Sequence, residues 1–405
     1  VSVTRRPTAS AAVPPTTMTN GSVNGGAATT RAIGLYGTGD MTRVSFTSTS
    51  FQGGSTSAAA SRSSGVFLES CSGSPDFVTT TTFGGSSIGS VAGTTRTAFE
   101  AEGATCSPRL SGGRHMGCEV GVMCIGVACR TASPCTILNA TIVGATGSGY
   151  HIFGVRCLTG GCASLAGNDV RAGTMSTTSS GPEGIGLEID GASPAVDDNR
   201  VVGPNGGTAA MVGRYYGVYL RTTRSLLTNN VIEAGALAAL VQAVRYDLTT
   251  MGPALIEPTF HSNTIDYAAC TACGARTGIA AAAGAGGMPS PSGVFRNNIV
   301  RHTAAGGITM PVRELDTMAD LRIFENNDLY DPTSGGVYVD EGTTTLNITQ
   351  VNTTIGPGNI DLTCQLNATW HIPVTSPCRN AGTATGAPDH DFDADGRPRE
   401  TFYDI

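Results

Sequence analysis

Apolar and polar positions repeat along this chain in a short phrase: an apolar residue, two further residues, an asparagine, one residue and a second apolar residue. The clearest copy runs from Val294 through Asn297 to Ile299. Successive asparagines of this phrase lie 31, 30, 34, 34 and 30 residues apart, at Asn168, Asn199, Asn229, Asn263, Asn297 and Asn327. A fixed period of this length indicates a repeat architecture.

A second phrase, a glycine followed by an apolar residue, any residue and another apolar residue, keeps step with the first. Its clear copies begin at Gly121, Gly154, Gly184, Gly217, Gly307 and Gly336, with weaker copies at Gly34, Gly65 and Gly278. Apolar and polar residues that alternate over a few positions predict a short β-strand with one buried face. Each repeat therefore contains short strands joined by turns.

Short strands at this period predict an all-β solenoid, a parallel β-helix of about eleven rungs stacked about 4.8 Å apart. Asparagine tolerates the left-handed turn conformation, and asparagines on successive rungs can form a hydrogen-bonded ladder. A leucine-rich repeat is the alternative. The chain lacks its recurrent L-x-x-L-x-L pattern and shows no helical periodicity.

The two phrases also divide the chain. Residues 1–31 are rich in Thr, Ala and Pro and predict an extended N-terminal arm, residues 32–342 carry the β-helix, and residues 343–405 form a C-terminal tail packed on or capping the solenoid. We expect no amphipathic helix at either end. Because uncapped rungs expose unpaired backbone groups, end-to-end self-association into filaments or oligomers is predicted.

The composition of the chain excludes some kinds of catalytic chemistry and some kinds of partner. All 24 basic residues are arginines, which excludes a lysine Schiff base or a lysine general base. The net charge of -7 and the pI of about 5.4 argue against nucleic acid as a partner. No apolar run is long enough for a transmembrane segment.

Twelve cysteines predict disulfide bonds and an oxidising compartment, hence an exported protein whose leader has been removed. The alternatives are a bridge between Cys124 and Cys157 on neighbouring rungs, or a redox or zinc half-site at Cys270 and Cys273 that no second C-x-x-C supports. The candidates for local pairing are Cys118 with Cys124, Cys129 with Cys135, Cys157 with Cys162, Cys270 with Cys273, and Cys364 with Cys378, leaving Cys71 and Cys106.

The tail resembles that of a known family. Residues 376–383 read SPC-x-x-AGT, residues 391–399 read DFD-x-DGRPR, and residues 403–405 read YDI. Together with the rungs, they are similar to secreted bacterial right-handed parallel β-helix repeat proteins of the pectate-lyase-like superfamily. The resemblance implies a right-handed, single-stranded parallel β-helix at an extracellular or cell-surface location. It implies no catalytic residues, because most members have no assigned activity.

An enzyme that hydrolyses polysaccharide would need two carboxylates that face each other across a groove. Asp197 and Asp198 resemble the paired aspartates of polygalacturonase-like enzymes, but the accompanying Gly-His-Gly and Arg-x-Lys elements are missing. Elsewhere an arginine takes the place one rung from an acid, which predicts surface ion pairs of Asp169 with Arg200 and of Glu188 with Arg221. We therefore assign no catalytic residue. Two interpretations are open for Tyr215, Tyr216 and Tyr219. They form either a platform on which a sugar ring stacks or a partly buried structural cluster.

The acidic run in the tail is the strongest candidate metal site. Asp391, Asp393 and Asp395 followed by Gly396 match the start of a calcium loop, but the twelfth position is Phe402 rather than glutamate. Calcium is therefore weighed against a solvated acidic turn.

Two functions follow. The first is a non-catalytic extracellular or cell-surface scaffold, such as an adhesin or a filament subunit. The alternative is a β-helix protein that binds or degrades polysaccharide, as a lyase or a hydrolase. Missing carboxylate pairs favour the first, and the tyrosine cluster supports the second.

Overall fold

The fold is an all-β parallel solenoid of about 8 turns, as seen in a computed structural model. Within the described ranges, no helix has the length and apolar character that crossing a bilayer requires. The structure describes residues 2–5, 15–56, 58, 61–85, 95–103, 105–131, 133–175, 181–206, 213–236, 240–248, 257–267, 275–283, 292–302, 309–333, 335–398 and 402–405.

The chain divides into two compact units. Unit 1 comprises Val1–Pro194 with Pro204–Gly207, and unit 2 comprises Ala195–Gly203 with Thr208–Ile405. The strands that lie wholly in unit 1 are β1 (Ser2–Arg5), β2 (Thr16–Thr19), β3 (Ser22–Asn24), β4 (Ala27–Ala28), β5 (Arg31–Asp40), β6 (Val44–Thr47), β7 (Ser50–Gln52), β8 (Ser55–Thr56), β9 (Arg62–Gly73), β10 (Asp76–Val78), β11 (Thr81–Phe83), β12 (Thr95–Glu102), β13 (Thr105–Cys106), β14 (Arg109–Ser111), β15 (Arg114–Arg130), β16 (Cys135–Leu138), β17 (Thr141–Leu158), β18 (Cys162–Ala166), β19 (Asp169–Met175) and β20 (Glu183–Asp190).

Unit 2 is also built of short strands, and its described residues include one helix. One strand, β22, begins in unit 2 and ends in unit 1. The elements are β21 (Ala195–Asp197), β22 (Arg200–Gly206), β23 (Arg214–Arg221), β24 (Leu226–Thr228), β25 (Val231–Glu233), β26 (Val241–Leu248), β27 (Thr259–His261), β28 (Thr264–Asp266), β29 (Arg276–Ala283), β30 (Ser292–Arg296), β31 (Ile299–Arg301), β32 (Thr309–Glu314), β33 (Leu321–Glu325), β34 (Asp328–Tyr330), β35 (Tyr338–Asp340), β36 (Thr344–Leu346) and α1 (Ile348–Thr354).

Successive rungs pair in parallel and place like residues over one another. In unit 1, Phe77 of β10 lies between Phe46 of β6 and Leu110 of β14, and the Phe46 and Phe77 rings stack 5.0 Å apart. In unit 2, the rings of Phe260 and Phe295 stack 4.7 Å apart. All five side chains are buried. The core of each unit is therefore a set of apolar columns, and burial of those columns is the main stabilising term.

Five disulfides confirm the predicted bridging of the cysteines, and no described cysteine is free. Four join the close pairs, and the bridge between Cys71 and Cys106 links neighbouring rungs with a Cα–Cα distance of 5.0 Å. The alternative bridge between Cys124 and Cys157 is wrong. Cys270 and Cys273 lie outside the described residues. The four close pairs are Cys118–Cys124, Cys129–Cys135, Cys157–Cys162 and Cys364–Cys378.

The turn count differs from the predicted eleven rungs. Several copies of the asparagine phrase form strands of only three residues, such as Ala195–Asp197 and Leu226–Thr228. These short strands still pair in parallel one rung apart, with Val196 opposite Leu227, within a sheet of eleven described strands.

Both ends of the predicted β-helix differ from expectation. Within the predicted arm, Thr16–Thr19 pairs in parallel with Val44–Thr47, so this stretch already forms rung strands. After Gly342, β36 pairs antiparallel with β35, and α1 follows with a capping box between Asn347 and Gln350. The sequence analysis did not predict α1, because three of its seven residues are threonines and only Val351 is buried, so no amphipathic stripe marks the helix.

Arginines and acids pair between neighbouring rungs, although not always as predicted. Glu188 pairs with Arg156 instead of Arg221, and Asp169 pairs with Arg171 of its own strand. The acid partner of Arg200 is Glu233, at 2.6 Å. Strand register explains the difference for Glu188, because Arg156 lies directly opposite it across the ladder.

Candidate functional site

The site in unit 2 begins with an internal column of asparagines at the turns. The side-chain Nδ2 of each asparagine except the last donates to the Oδ1 of the asparagine on the next rung, at 2.9–3.1 Å. The column comprises Asn199, Asn230, Asn263, Asn298, Asn327 and Asn359. Asn168 of unit 1 occupies a similar buried turn, where it donates to the Ile137 carbonyl and accepts from the Ala140 N–H.

Of the predicted ladder residues in unit 2, Asn199, Asn263 and Asn327 belong to this column, whereas Asn229 and Asn297 lie outside it. Each is the first residue of an Asn-Asn pair, and the second residue, Asn230 or Asn298, faces inward. Two asparagines followed by two apolar residues fit the phrase in either of two registers, and a one-residue shift turns a side chain to the opposite face. The prediction therefore chose the wrong member of both pairs.

The residue before each of the first five internal asparagines adopts a left-handed conformation, with φ of 54–56°. Asn and Asp are the non-glycine residues that tolerate this region best. We call this set the turn column; it comprises Asp198, Asn229, Ser262, Asn297 and Asn326.

The tail runs along the turn column and is hydrogen-bonded to it at several rungs. Asn326 Nδ2 donates to the Ala381 carbonyl at 3.2 Å. Asn297 makes a two-way contact with Thr383, donating to its carbonyl and accepting from its N–H, both at 2.8 Å. Asn229 Nδ2 donates to the His390 carbonyl at 3.1 Å. Side chains that the prediction assigned to an internal ladder therefore hold the tail.

The tail also brings a histidine to the pair of aspartates noted in the sequence. His390 Nε2 lies 3.2 Å from Asp197 Oδ2 and 3.4 Å from Asp198 Oδ2, and His390 Nδ1 lies 2.8 Å from Asp389 Oδ1. The side chains of Asp197, Asp198 and His390 are 30%, 22% and 30% exposed. We call these three residues, together with Asp389, the acid–histidine cluster.

The cluster shifts the pKa of its members in ways that favour a charged histidine. The hydrogen bond to Asp389 and the nearby Asp198 and Asp197 raise the pKa of His390, and the same hydrogen bond lowers the pKa of Asp389. Burial, followed by repulsion from Asp197, raises the pKa of Asp198 to about 6. Carboxylates and imidazole with shifted pKa values can transfer protons, but here one imidazole nitrogen, Nε2 of His390, contacts both Asp197 and Asp198.

The predicted calcium ligands do not converge. Asp391 Oδ1 accepts from the backbone N–H groups of Asp393 and Asp395, and Asp393 pairs with His371. Among the described residues, the three aspartates do not bring oxygen atoms within 4.8 Å of one another, whereas Asp197, Asp198 and His390 bring ligand atoms that close. Calcium at the tail stays a prediction.

The predicted tyrosine platform is mostly buried. Tyr215 and Tyr219 are 1% and 4% exposed, and the Tyr219 hydroxyl donates to Asp247 at 2.7 Å. Tyr216 lies against Tyr219 with ring centroids 5.3 Å apart. Because two of the three rings lack an open face, this cluster has the structural role that the sequence analysis gave as its alternative.

A cavity of about 230 Å³ lies between the tail and the turn column. From the rungs it is lined by Asn229, Ser262 and Asn297, and from the tail by Trp370 and Arg397, among others. No sequence pattern predicts this cavity, because its two walls are far apart in the chain.

Comparisons with known proteins give no family. No family model and no curated protein matches the chain. Solved structures that match include the enzymatically active domain of tailspike protein 2 from bacteriophage CBA120, with a TM-score of 0.33 and 11% identity over 78% of this chain and 47% of that chain. The receptor-binding tailspike of bacteriophage Det7 has a TM-score of 0.27 and 15% identity over 75% and 52% of the two chains.

The periplasmic alginate epimerase AlgG, solved as a double mutant, has a TM-score of 0.28 and 11% identity over 77% of this chain and 69% of that chain. The chain spans about half the length of the two tailspikes. Similarity this low says nothing about the activity or substrate of this chain.

Proposed function

We propose that the chain is a non-catalytic, exported β-helix scaffold. The observation that carries this proposal is the use of the acid–histidine cluster: the imidazole of His390 contacts both Asp197 and Asp198. A glycosidase needs its two carboxyl groups on either side of the substrate. Here both carboxyl groups are in contact with His390 of the tail, so the cluster acts as an attachment point for the tail.

The disulfides and the asparagine column support a rigid exported scaffold. Five disulfides are typical of proteins in oxidising compartments. The internal column satisfies buried amides on six successive turns, which fixes the register of the rungs. We further propose that the scaffold lies at the cell surface and acts as an adhesin.

The covered strand edge at the end of unit 2 favours separate particles over end-to-end filaments. End-to-end stacking would need a free strand edge at the end of unit 2, but β36 lies antiparallel along β35 there. A neighbouring molecule would have to displace β36 to continue the parallel ladder. We therefore propose that this end of the scaffold does not self-associate.

Two measurements test this proposal: turnover of polysaccharide, and the resistance of the tail to protease. Wild-type protein incubated with a panel of neutral and acidic polysaccharides is expected to release neither reducing ends nor unsaturated products. The double variant Asp197→Asn/Asp198→Asn is expected to show earlier proteolytic cleavage of the tail. Asp169→Asn, which removes an aspartate paired with Arg171 in unit 1, is the matched control and is expected to leave the tail resistant.

A polysaccharide hydrolase or lyase is the second candidate, favoured by the opposed pKa shifts of Asp198 and Asp389. Turnover by the wild-type protein that the double variant loses, while its tail stays resistant to protease, would establish this second function and overturn the first.

A further inference from the structure

In the acid–histidine cluster, His390 presents one ring nitrogen to two carboxylates at once. Its Nε2 atom lies 3.2 Å from Asp197 Oδ2 and 3.4 Å from Asp198 Oδ2. A charge-assisted hydrogen bond from a nitrogen to a carboxylate is shorter, at about 2.7–2.9 Å. The nitrogen also carries one hydrogen at most, which cannot align with two oxygen atoms at the same time. Direct hydrogen bonds therefore account poorly for this arrangement.

The same separations fit three ligand atoms around one metal ion. Imidazole nitrogen binds Zn²⁺ at about 2.0–2.1 Å and carboxylate oxygen at about 2.0–2.2 Å, with tetrahedral geometry. Two ligand atoms at these bond lengths lie about 3.4 Å from each other. The two distances from His390 Nε2 are close to this value, and ligand atoms of Asp197, Asp198 and His390 all lie within 4.8 Å of one another.

Two further contacts orient these ligand atoms. His390 Nδ1 lies 2.8 Å from Asp389 Oδ1, so we assign the ring hydrogen to Nδ1, which leaves Nε2 free to bind a metal. The Thr228 hydroxyl donates to Asp197 Oδ1, which leaves Asp197 Oδ2 for the same purpose. Histidines that bind metals almost always donate their other ring nitrogen to a carboxylate, a carbonyl or water. The contact with Asp389 supplies this partner.

The charge and the exposure of the cluster also favour a cation. Asp197, Asp198 and Asp389 place three carboxylates around one imidazole. The guanidinium of Arg397 interacts with Asp198, but it also interacts with two other aspartates and so does not neutralise the cluster. The three ligand side chains are between 22% and 30% exposed. A metal ion can therefore reach them from solvent, and water can complete its coordination.

We propose that Asp197, Asp198 and His390 bind one divalent transition-metal ion, for which Zn²⁺ is the probe. An imidazole ligand favours Zn²⁺ over Ca²⁺ and Mg²⁺, which prefer oxygen. His390 is 193 positions from Asp197, so the ion would fasten the tail to the solenoid. In metal-free protein, a proton on Nε2 takes the place of the ion. This inference rests on the attachment role proposed above for the cluster.

Calorimetric titration of the metal-stripped full chain with Zn²⁺, at one fixed pH, tests the site. Wild-type protein is expected to bind one ion saturably, and an excess of Ca²⁺ or Mg²⁺ is expected not to displace it. Because the ion would join the tail to the solenoid, Zn²⁺ is also expected to slow proteolytic cleavage of the tail. The two readouts are independent, since the first measures binding and the second measures attachment.

Two histidine variants locate the ion. His390→Gln removes a ligand and is expected to abolish both Zn²⁺ binding and protection of the tail by Zn²⁺. His371→Gln makes the same exchange at a second histidine of the tail, which pairs with Asp393, and is expected to behave like the wild type. Asp389→Asn keeps all three ligands but weakens the orientation of the imidazole, so Zn²⁺ affinity is expected to fall by roughly 10–100-fold.

Each result bears on the proposal. Wild-type protein without saturable Zn²⁺ binding would overturn it, and a tail that resists protease in that metal-free protein would leave the attachment role intact. Equal Zn²⁺ affinities for the wild type and His390→Gln would place the ion elsewhere and overturn the site. Zn²⁺ binding that leaves cleavage of the tail unchanged would overturn the fastening role. Polysaccharide turnover by the Zn²⁺-loaded protein would overturn the non-catalytic proposal while supporting the metal site.

Discussion

At the turns of unit 2, two neighbouring residues have opposite roles. Asn297 is left-handed and hydrogen-bonded to the tail, whereas Asn298 points inward and joins the internal column. The difference comes from backbone conformation, because both side chains carry the same amide. The inward residue satisfies buried main-chain groups of its own turn and of the neighbouring rungs, so its loss should cost more than loss of the outward residue.

Asn263→Ala tests this difference. The Asn263 side chain donates to the Leu227 carbonyl and to Asn298 Oδ1 and accepts from the Asn230 N–H. Its removal leaves several buried groups unpaired and is expected to destabilise unit 2 by roughly 2–4 kcal/mol, measured by chemical denaturation. Asn297→Gly, which keeps the positive φ without strain, should cost about 1 kcal/mol or less. Equal losses for the two variants would contradict an internal ladder.

The acid–histidine cluster predicts that attachment of the tail depends on pH. His390 and Asp198 both have raised pKa values in the folded state. Such groups stabilise the folded form below their unfolded pKa values and lose that contribution as the pH rises through the folded values. Asp389 has a lowered pKa and acts in the opposite direction, losing its contribution only in acid. Stability of the tail should therefore fall as the pH rises above about 6.

Proteolysis or hydrogen exchange of the tail between about pH 5.5 and 8.5 measures this dependence. Wild-type protein should lose protection progressively toward the alkaline end. His390→Gln, which keeps a polar side chain but does not titrate, should have lower protection at pH 5.5 and a flatter profile. A wild-type tail with the same protection across the range would exclude a charged histidine from the attachment.

Of all the elements, the tail is the one whose position is hardest to predict from the sequence. Strand spacing follows from apolar alternation, and sequence proximity predicts that Cys364 pairs with Cys378. Contact between Asn229 and His390 could not be inferred, because the two residues are 161 positions apart and neither carries a distinctive motif. The sequence shows Asp197 and Asp198 as a pair but does not predict their histidine partner, since the histidines share no register.

Reduction of the tail bridge tests how the tail is held. Cys364 and Cys378 are 14 residues apart, and closing a loop of that length stabilises by about 3 kcal/mol in the chain-entropy model. Cys364→Ser/Cys378→Ser should therefore expose the tail to protease. The bridge between Cys157 and Cys162 closes a loop of 5 residues in unit 1, and its double serine variant should leave the tail resistant. Equal effects would show that tail attachment does not depend on its own bridge.

At the scale of the whole molecule, the end of unit 2 decides whether the chain assembles. The edge of β35 is covered by β36, with Val339 opposite Thr345. Proline at position 345 cannot donate a backbone hydrogen bond, so Thr345→Pro is expected to loosen β36 and to cause concentration-dependent association in sedimentation experiments. Wild-type protein should sediment as a single species that does not grow with concentration, and wild-type fibres would refute the role given to β36.

The bridge between neighbouring rungs of unit 1 also determines how the molecule behaves when it is pulled. Cys71 and Cys106 are 35 residues apart, whereas three further bridges of that unit close loops of 6, 6 and 5 residues. Under tension, the residues inside a closed bridge cannot lengthen the chain. At about 3.4 Å per residue, the long bridge withholds on the order of 120 Å of contour length, so the redox state of one cysteine pair sets how far unit 1 extends before the chain becomes taut.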